Sequence, residues 1–246
     1  MTKRDFINTI FENVKVLISA LFIAIIIRSF LFQPFYIPSS SMEPTLLIGD
    51  RIFVAKYSYG YSKHSLPFSP PLFNGRYFNN EPKQGDLVVF KTPADNRTDY
   101  IKRLIGTPGD KIQFINGEIF INDEKIIREK IENNIKIRCG AENFQTISYR
   151  ETLPNGSVYV AAYRKNGTIL NTDLYIVPKG YYFFLGDNRD CSKDSRYLNS
   201  VGYVKRENLV GKAKYIFFSN DTIKSKLIKF WNIRDSIRVD RFFKKL

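Results

Sequence analysis

The stretch Ile37-Pro-Ser-Ser-Ser-Met-Glu-Pro-Thr-Leu46 begins a few residues after the one long apolar segment of the chain. It places three consecutive serines between two prolines. Pro38 and Pro44 each fix φ and disfavour the helical region for the residue before them, so the stretch is predicted to be extended and stiff. Serines in a row are typical of a polar linker, and a nucleophile is the alternative. The rest of the chain decides between these two interpretations.

The apolar segment covers residues 16–32 and is interrupted only by Ser19, Arg28 and Ser29. As a helix it would be about 26 Å long, slightly short of a ~30 Å hydrocarbon core. A cleaved signal peptide and a buried core helix are alternatives. We favour an uncleaved transmembrane signal anchor, because a helix that is apolar on every face suits lipid. The basic residues within 1–15 then place the N-terminus in the cytoplasm.

The composition favours a mostly β body that meets an anionic partner. Aromatic residues make up 15% of the 246-residue chain, and the net charge is +14. The apolar segment favours lipid over nucleic acid as that partner. Basic residues continue through 221–246, where they alternate with aromatic ones: Phe230, Trp231, Phe242 and Phe243. That end is either a solvated final element or a surface that rests on anionic lipid.

Cysteine and histidine are too sparse for a metal site. Cys139 and Cys191 form no CxxC pair, so zinc is not expected. Two free thiols are the simpler interpretation, and one bridge is possible in an oxidising compartment. His64 is the single histidine and lies in a loop rich in Ser and Pro, which argues against a Ser-His-Asp triad. We expect no metal and no cofactor.

Alternating apolar residues bounded by Gly and Pro predict several short strands. These strands cover residues 51–57, 86–91, 100–105, 181–185 and 210–218. Asn116-Gly117 predicts a hairpin within residues 114–121, and Asn166-Gly167 predicts another within 157–177. The spacing is that of a sandwich or a coiled sheet rather than of a βαβ fold.

A serine nucleophile needs a base, and a lysine can serve if burial lowers its pKa from ~10.4. Lys102 lies in the apolar segment Tyr100-Ile-Lys-Arg-Leu-Ile105. Strand alternation puts Lys102 and Arg103 on opposite faces without deciding which face is inside. Arginine cannot give up its proton, so the chemistry favours Lys102. The alternative is an edge-strand lysine that hinders aggregation.

A third polar segment is Gly186-Asp-Asn-Arg-Asp-Cys-Ser-Lys-Asp-Ser-Arg196. It holds more Asp, Asn, Ser and Arg than a turn needs. A surface loop held by its own Asx-turns is one interpretation. The other is a network of ion pairs that fixes a site.

Four segments occur in the order of the sequence boxes of the type I signal peptidases (leader peptidases), and the chain resembles that family of membrane-anchored Ser-Lys serine proteases. The segments are residues 38–46, 85–90, 100–110 and 186–196. The resemblance implies a mostly β fold, in which an N-terminal transmembrane helix precedes a two-part β-sheet catalytic body. A variable second part would be inserted at about 111–180. Some positions depart from the family pattern: Ser40, Cys191 and Leu198-Asn199.

The resemblance also implies roles for individual residues. Ser41 matches the nucleophile and Lys102 the general base. The hydroxyl of Ser39 and the backbone N–H of Ser41 match the oxyanion hole, and Ser192 matches the serine that orients the lysine. Four further residues match scaffold positions where we expect ion pairs: Asp187, Arg189, Asp194 and Arg196.

We therefore expect a monomeric, single-pass enzyme of the bacterial cytoplasmic (inner) membrane that removes signal peptides from secreted and membrane preproteins. Residues 1–15 would be cytoplasmic, 16–32 would span the membrane, and 33–246 would form the body on the outer (periplasmic) face. The substrate would add as an extended strand beside residues 35–39 and 86–90. Membrane lipid is the second expected partner, and nucleic acid is not expected.

Three rival functions differ from this expectation. One is another Ser-Lys enzyme, such as a self-cleaving repressor or a maturation peptidase for a single substrate. Another is a catalytically silent, membrane-tethered β-domain that binds a partner. The third is a lipid-binding scaffold built on the basic C-terminus.

Overall fold

The computed structural model describes residues 3–71, 74–131, 136–140, 142–165, 169–221 and 236–246. It begins with one long helix, α1 (Lys3–Ile26), which continues into a π-helical turn at Ile27–Leu31. The part Ile7–Leu31 has 25 residues and a mean hydropathy of 2.3, enough to cross a membrane by length and composition. Its apolar side chains are exposed, with Leu17 at 67%, so the buried core helix is wrong.

The body after α1 is built from short strands and single helical turns. The strands are β1 (Phe32–Tyr36), β2 (Asp50–Ala55), β3 (Leu87–Lys91), β4 (Asp99–Gly106), β5 (Lys111–Ile115), β6 (Glu118–Ile121), β7 (Glu124–Lys125), β8 (Ile127–Ile131), β9 (Lys136–Cys139), β10 (Glu142–Thr152), β11 (Val158–Arg164), β12 (Tyr175–Ile176), β13 (Tyr181–Leu185), β14 (Val204–Lys205), β15 (Leu209–Ser219) and β16 (Lys244–Lys245). The 3₁₀ turns are Lys56–Ser58, Lys63–Ser65, Arg189–Cys191, Arg206–Asn208 and Val239–Arg241.

Three antiparallel sheets form within the described residues, which confirms the mostly β fold class. The largest sheet has eight strands in the order β1-β2-β15-β3-β4-β13-β14, with β16 added beside β15. Two four-stranded sheets take the residues between β4 and β13. One runs β11-β10-β8 with β9 also on β10, and the other runs β12-β5-β6-β7. The predicted strands at 86–91, 100–105, 181–185 and 210–218 all lie in the large sheet.

One predicted hairpin is confirmed and the other is wrong. β5 and β6 pair around Asn116-Gly117, with Ile115 opposite Glu118. β11 and β12 do not pair with each other, because β11 pairs with β10 over seven residues and β12 pairs with β5. Tyr159, Ala161 and Tyr163 of β11 are buried in a core cluster. Residues 166–168, which include the predicted turn, lie outside the described residues.

The C-terminal end supports the large sheet. Residues 222–235, with Phe230 and Trp231, lie outside the described residues, so the lipid surface predicted there cannot be placed. Phe242 packs on Phe218 of β15, with ring centroids 5.3 Å apart, whereas Phe243 is exposed. Lys244 of β16 pairs with Ile216 of β15.

Cys139 and Cys191 form a disulfide with their Cα atoms 5.5 Å apart, so the interpretation as free thiols is wrong. The bridge connects β9 to the turn Arg189–Cys191. A polar contact lies beside it, because Asn188 Nδ2 donates to the Arg138 carbonyl oxygen at 3.1 Å. Sequence spacing alone does not determine the distance between two cysteines that are 52 positions apart.

Replacing both cysteines by serine should lower the free energy of unfolding by about 4 kcal/mol, because the bridge closes a long loop in the unfolded chain. Chemical denaturation of the detergent-solubilised chain measures this change. The wild type in reductant should match the double variant, and reductant should leave the double variant unaffected. A wild-type midpoint that does not move in reductant would contradict a structural disulfide.

Candidate active site

The serine-rich stretch forms a tight turn between β1 and β2. Ile37 N donates a hydrogen bond to the Asp50 carbonyl oxygen, and Leu46 N donates one to the Met42 carbonyl oxygen at 2.9 Å. The side chains of Met42 and Leu46 are buried in one core cluster with Ile37. The predicted extended conformation is therefore wrong for residues 41–45. A turn closed by the Leu46 N to Met42 carbonyl bond brings both apolar side chains to the core, and the Glu43–Pro44 peptide within it is cis.

Lys102 and Ser41 are brought into direct contact. Lys102 lies in β4, is 4% exposed, and its Nζ donates to Ser41 Oγ at 2.6 Å. Burial lowers the pKa of Lys102 to about 8, although the Asp194 and Asp187 carboxylates oppose the shift. Arg103 on the other face of β4 is buried too. Both faces are therefore covered, and a solvent-facing edge lysine is excluded.

Two more serines approach Ser41. The hydroxyl oxygens of Ser39 and Ser41 are 3.3 Å apart. Ser192 is buried, and its hydroxyl lies near the Asp194 carboxylate. Gly186 makes this approach possible, because a Cβ on it would lie 2.2 Å from Ser192 Oγ and 2.5 Å from the Ser41 carbonyl oxygen. The sequence analysis did not single out Gly186.

Asp187 and Asn188 connect the polar segment to the serine turn. Asp187 pairs with Arg103 through two hydrogen bonds of 2.8 and 2.6 Å, and it also accepts one from the Thr45 hydroxyl. Asn188 N donates to the Ser41 carbonyl oxygen at 3.2 Å, and its side chain donates to the Ser40 carbonyl oxygen at 3.1 Å. Asn188 holds the turn through backbone carbonyls, a role that residue type alone does not reveal.

The remaining candidate residues of this segment are also ion-paired. Arg189 is fully buried and pairs with Glu151 of β10 at 2.6 Å. Arg196 pairs with Asp194 at 2.8 Å, and Gly186 N donates to the Asp194 carboxylate at 3.0 Å. Burial favours the neutral acid, but Arg196 holds the pKa of Asp194 below its ordinary value.

A second polar network reaches the serine turn from the C-terminal end. Asp50 pairs with Arg241 at 2.6 Å, and Ser219 donates to the same carboxylate at 2.6 Å. Arg241 also donates to the Thr45 carbonyl oxygen at 2.9 Å, and Arg238 donates to the Ile48 carbonyl oxygen at 3.1 Å. These basic residues point inward rather than to solvent. No local sequence pattern indicates this contact, because the partners are 191 positions apart.

His64 does not face Ser41. It is 4% exposed, and its Nδ1 lies 3.0 Å from Ser69 Oγ. Burial and nearby cations lower the pKa of His64 to about 4, so the imidazole is neutral near pH 7. No group of three or more His, Cys, Asp or Glu side chains that could hold a metal ion occurs in the described part of the chain.

A groove of about 420 Å³ opens beside Ser41 and Lys102. Its walls include residues 35–39 and residues 98–102. Within the described residues β1 pairs only with β2, and β13 pairs with β4 only from Arg103 to Gly106. Both walls therefore have an unpaired backbone edge. β3 is paired on both sides, so the predicted docking of a strand beside residues 86–90 is wrong.

Comparison with known proteins gives a consistent result. The family model described as signal peptidase, peptidase S26, matches residues 10–218. Signal peptidase I of Rickettsia typhi is 45% identical over 241 residues, covering 91% of this chain and 89% of that protein. Signal peptidase I of Rickettsia conorii is 44% identical over 241 residues, covering 91% and 88%.

A crystal structure of a signal peptidase I from Enterococcus faecalis V583 is 26% identical and covers 54% of this chain and 97% of that chain, with a TM-score of 0.31. That score is too low to bear on the fold, so the family rests on the sequence matches. With the exposed apolar helix, these relatives indicate a membrane-anchored enzyme. The chain belongs to the type I signal peptidases of peptidase family S26, the serine endopeptidases that remove signal peptides from preproteins.

Proposed function

We propose that this chain is a membrane-bound serine endopeptidase in which Ser41 is the nucleophile and Lys102 is the general base. The 2.6 Å contact between Lys102 Nζ and Ser41 Oγ carries the proposal. Burial supports it, since a lysine with a pKa of about 8 is partly neutral near pH 7 and can accept a proton. The sequence order of the four boxes adds independent support.

The reaction runs through an acyl-enzyme. Ser41 Oγ attacks the scissile carbonyl carbon while Lys102 Nζ accepts the hydroxyl proton. The carbon–nitrogen bond then breaks, Lys102 gives that proton to the leaving amine, and an ester to Ser41 remains. Lys102 next takes a proton from water as the water attacks the ester. Cleavage of the ester releases the signal peptide, and Ser41 Oγ regains a proton.

The groups around the dyad position it. The Ser39 hydroxyl and the Ser41 N–H would donate to the oxyanion, and such a donor is typically worth ~3 to 4 kcal/mol. The buried Ser192 hydroxyl would accept from the lysine and orient it. The ion pairs of Asp187, Arg189, Asp194 and Arg196 would hold the polar segment against the serine turn.

The groove accommodates the substrate as an extended strand. The unpaired edges of residues 35–39 and 99–102 would each give backbone hydrogen bonds to a chain lying between them. Small side chains such as Ala, at the first and third positions before the cut, would face the groove beside Ser41. The binding mode therefore uses β1 and β4 rather than β3.

We place the body on the outer face of the bacterial cytoplasmic membrane, with residues 1–15 in the cytoplasm and one span. The Cys139–Cys191 bridge supports this orientation, because disulfides persist in oxidising compartments. The absence of Lys and Arg between Arg28 and Arg51 agrees with it, since basic residues favour the cytoplasmic side.

Ser41→Ala, Lys102→Met and Lys102→Arg should each abolish cleavage of a preprotein that carries Ala at both small-residue positions. Alanine removes the nucleophile, methionine removes the base, and arginine keeps a charge that it cannot give up. Cleavage in detergent, followed by gel electrophoresis, measures this. Lys111→Met, which changes an exposed lysine of β5, should cleave like the wild type. Retained cleavage by either Lys102 variant would assign the base to another group.

The value of kcat/KM should rise with pH and level off above about pH 8, where Lys102 is neutral. Below that value, the rate should fall about tenfold per pH unit, because only the neutral fraction can accept the Ser41 proton. Initial rates between pH 6 and 10 test this. A profile that is flat down to about pH 6 would contradict a lysine base.

Lys102→Met should be more stable than the wild type at pH 7. The pKa of Lys102 is lower when folded than its ordinary ~10.4, so the unfolded chain binds the extra proton between about pH 8 and 10. The free energy of unfolding of the wild type therefore rises by about 3 kcal/mol from pH 8 to pH 10, relative to that of the variant. Urea unfolding of both chains at several pH values measures the difference. A difference that does not change with pH would refute the lowered pKa.

A further inference from the structure

A second cavity, of about 440 Å³, lies where the apolar helix meets the body. We call it the basic cavity and define it by six of its lining residues: Arg28, Lys56, His64, Lys91, Arg97 and Asp99. It shares Phe35 and Asp99 with the substrate groove, so the two cavities are neighbours. The proposed peptidase mechanism uses none of its charged groups.

The basic cavity holds more positive than negative charge. Asp99 is the one acidic residue among its lining residues, and Lys91 Nζ already pairs with that carboxylate at 2.8 Å. Arg28, Lys56 and Arg97 make no direct ion pair within the described part of the chain, although the Asp99 carboxylate acts on Lys56 and the Asp95 carboxylate on Arg97 at longer range. A concave site with several unneutralised cations attracts an anion.

Lys56 is the most costly of these cations. It is 2% exposed, and its Nζ donates to the backbone carbonyl oxygen of Ser65, not to a carboxylate. Burial lowers the pKa of Lys56 to about 8, and Arg28 adds to the shift. A buried charge without a counter-charge destabilises a fold unless a ligand supplies one.

His64 adds a buried polar atom without a partner. Its Nε2 makes no hydrogen bond with any described residue, whereas Nδ1 lies 3.0 Å from the Ser69 hydroxyl. When Nδ1 accepts from Ser69, the neutral ring carries its proton on Nε2. That N–H is then a buried donor without a partner among the described residues, on a residue that lines the cavity, and such a donor suits an anionic oxygen.

The position of the cavity indicates where that anion comes from. Arg28 lies near the end of the span Ile7–Leu31, so the cavity lies beside the headgroup region of a membrane that holds this helix. The Tyr61 hydroxyl donates to the Phe30 carbonyl oxygen at 2.9 Å, which fixes the helix end to the body. Phe68 on the cavity wall is fully exposed, and an exposed aromatic side chain suits the membrane interface better than water.

We propose that the basic cavity binds the phosphate group of an anionic phospholipid from the membrane that holds α1. The lipid phosphate would accept from Lys56, Arg97 and His64, while the acyl chains would lie against Phe68 and the apolar helix. This site goes beyond the peptidase function and rests only on the proposed membrane placement. A bound lipid would sit beside the substrate groove and hold its mouth at the membrane surface.

Native mass spectrometry of the full chain in non-ionic detergent tests the proposal. The probes are phosphatidylglycerol, phosphatidylcholine and inorganic phosphate. We expect one phosphatidylglycerol to bind, and phosphatidylcholine and free phosphate to bind at least about tenfold more weakly.

Lys56→Met and the exposed Arg97→Gln should each weaken phosphatidylglycerol binding about tenfold, the usual loss for one charge-assisted hydrogen bond. Arg97→Gln removes only an exposed side chain, so its effect is not a folding defect.

Matched variants separate this site from general attraction to a basic protein. Lys130→Gln, which removes an exposed charge of β8, should bind phosphatidylglycerol like the wild type, and so should Ser41→Ala. Because Ser41→Ala should lose cleavage but keep phosphatidylglycerol binding, a failure of the proposed peptidase function can be told apart from a failure of the lipid site. Equal binding of phosphatidylcholine would overturn the recognition of anionic lipid, and equal binding of free phosphate would overturn the lipid source. An equal loss in Lys130→Gln would overturn the site itself.

Discussion

The structure depends on keeping the Lys102 amine out of water while it touches Ser41. Water would return the pKa of the lysine toward ~10.4 and leave almost no neutral base near pH 7. The fold prevents this by covering both faces of β4, so that Lys102 is 4% exposed and its pKa falls to about 8. The neutral amine is available near pH 7 only because its charged form is poorly solvated, and the same poor solvation makes the proton easy to pass on to the leaving amine. The stability that the fold loses by burying Lys102 is what makes the base available.

Two polar networks hold the serine turn against that lysine, one from the segment 186–196 and one from the C-terminal residues. Asn188 binds the backbone carbonyls of Ser40 and Ser41. Arg241, which pairs with Asp50, binds the Thr45 carbonyl oxygen. A turn held on both sides through its own backbone leaves the Ser41 hydroxyl free for chemistry. Asp50 and Arg241 are both buried, so each depends on the other, and losing one would leave its partner as an unsatisfied buried charge.

The sequence was informative where a local rule decides the outcome. Asn116-Gly117 makes its hairpin because two residues suffice for the turn, and Lys102 stands out because a lysine in an apolar strand is unusual. Pairing over long distances was not predictable. β11 joins β10 rather than β12, and Cys139 meets Cys191, because partner strands that no short pattern identifies bring them together. Pro38 and Pro44 favour an extended conformation for the serine stretch. The stretch turns instead, because burial of Met42 and Leu46 in the core outweighs that local preference.

Two lysines are buried in this way within the part of the chain that the structure describes, and burial alone does not decide what each of them does. Lys56 and Lys102 both have pKa values near 8, and both lie beside a cavity. The groups around them differ. Lys102 meets a hydroxyl and feels the carboxylates of Asp194 and Asp187, so it can exchange a proton without an outside partner. Lys56 meets a carbonyl oxygen among further cations, and the nearest carboxylate, Asp99, is already paired with Lys91, so Lys56 has nothing to deprotonate and no anion in direct contact. A lowered lysine pKa therefore marks a site, and the neighbours decide whether that site performs chemistry or binding.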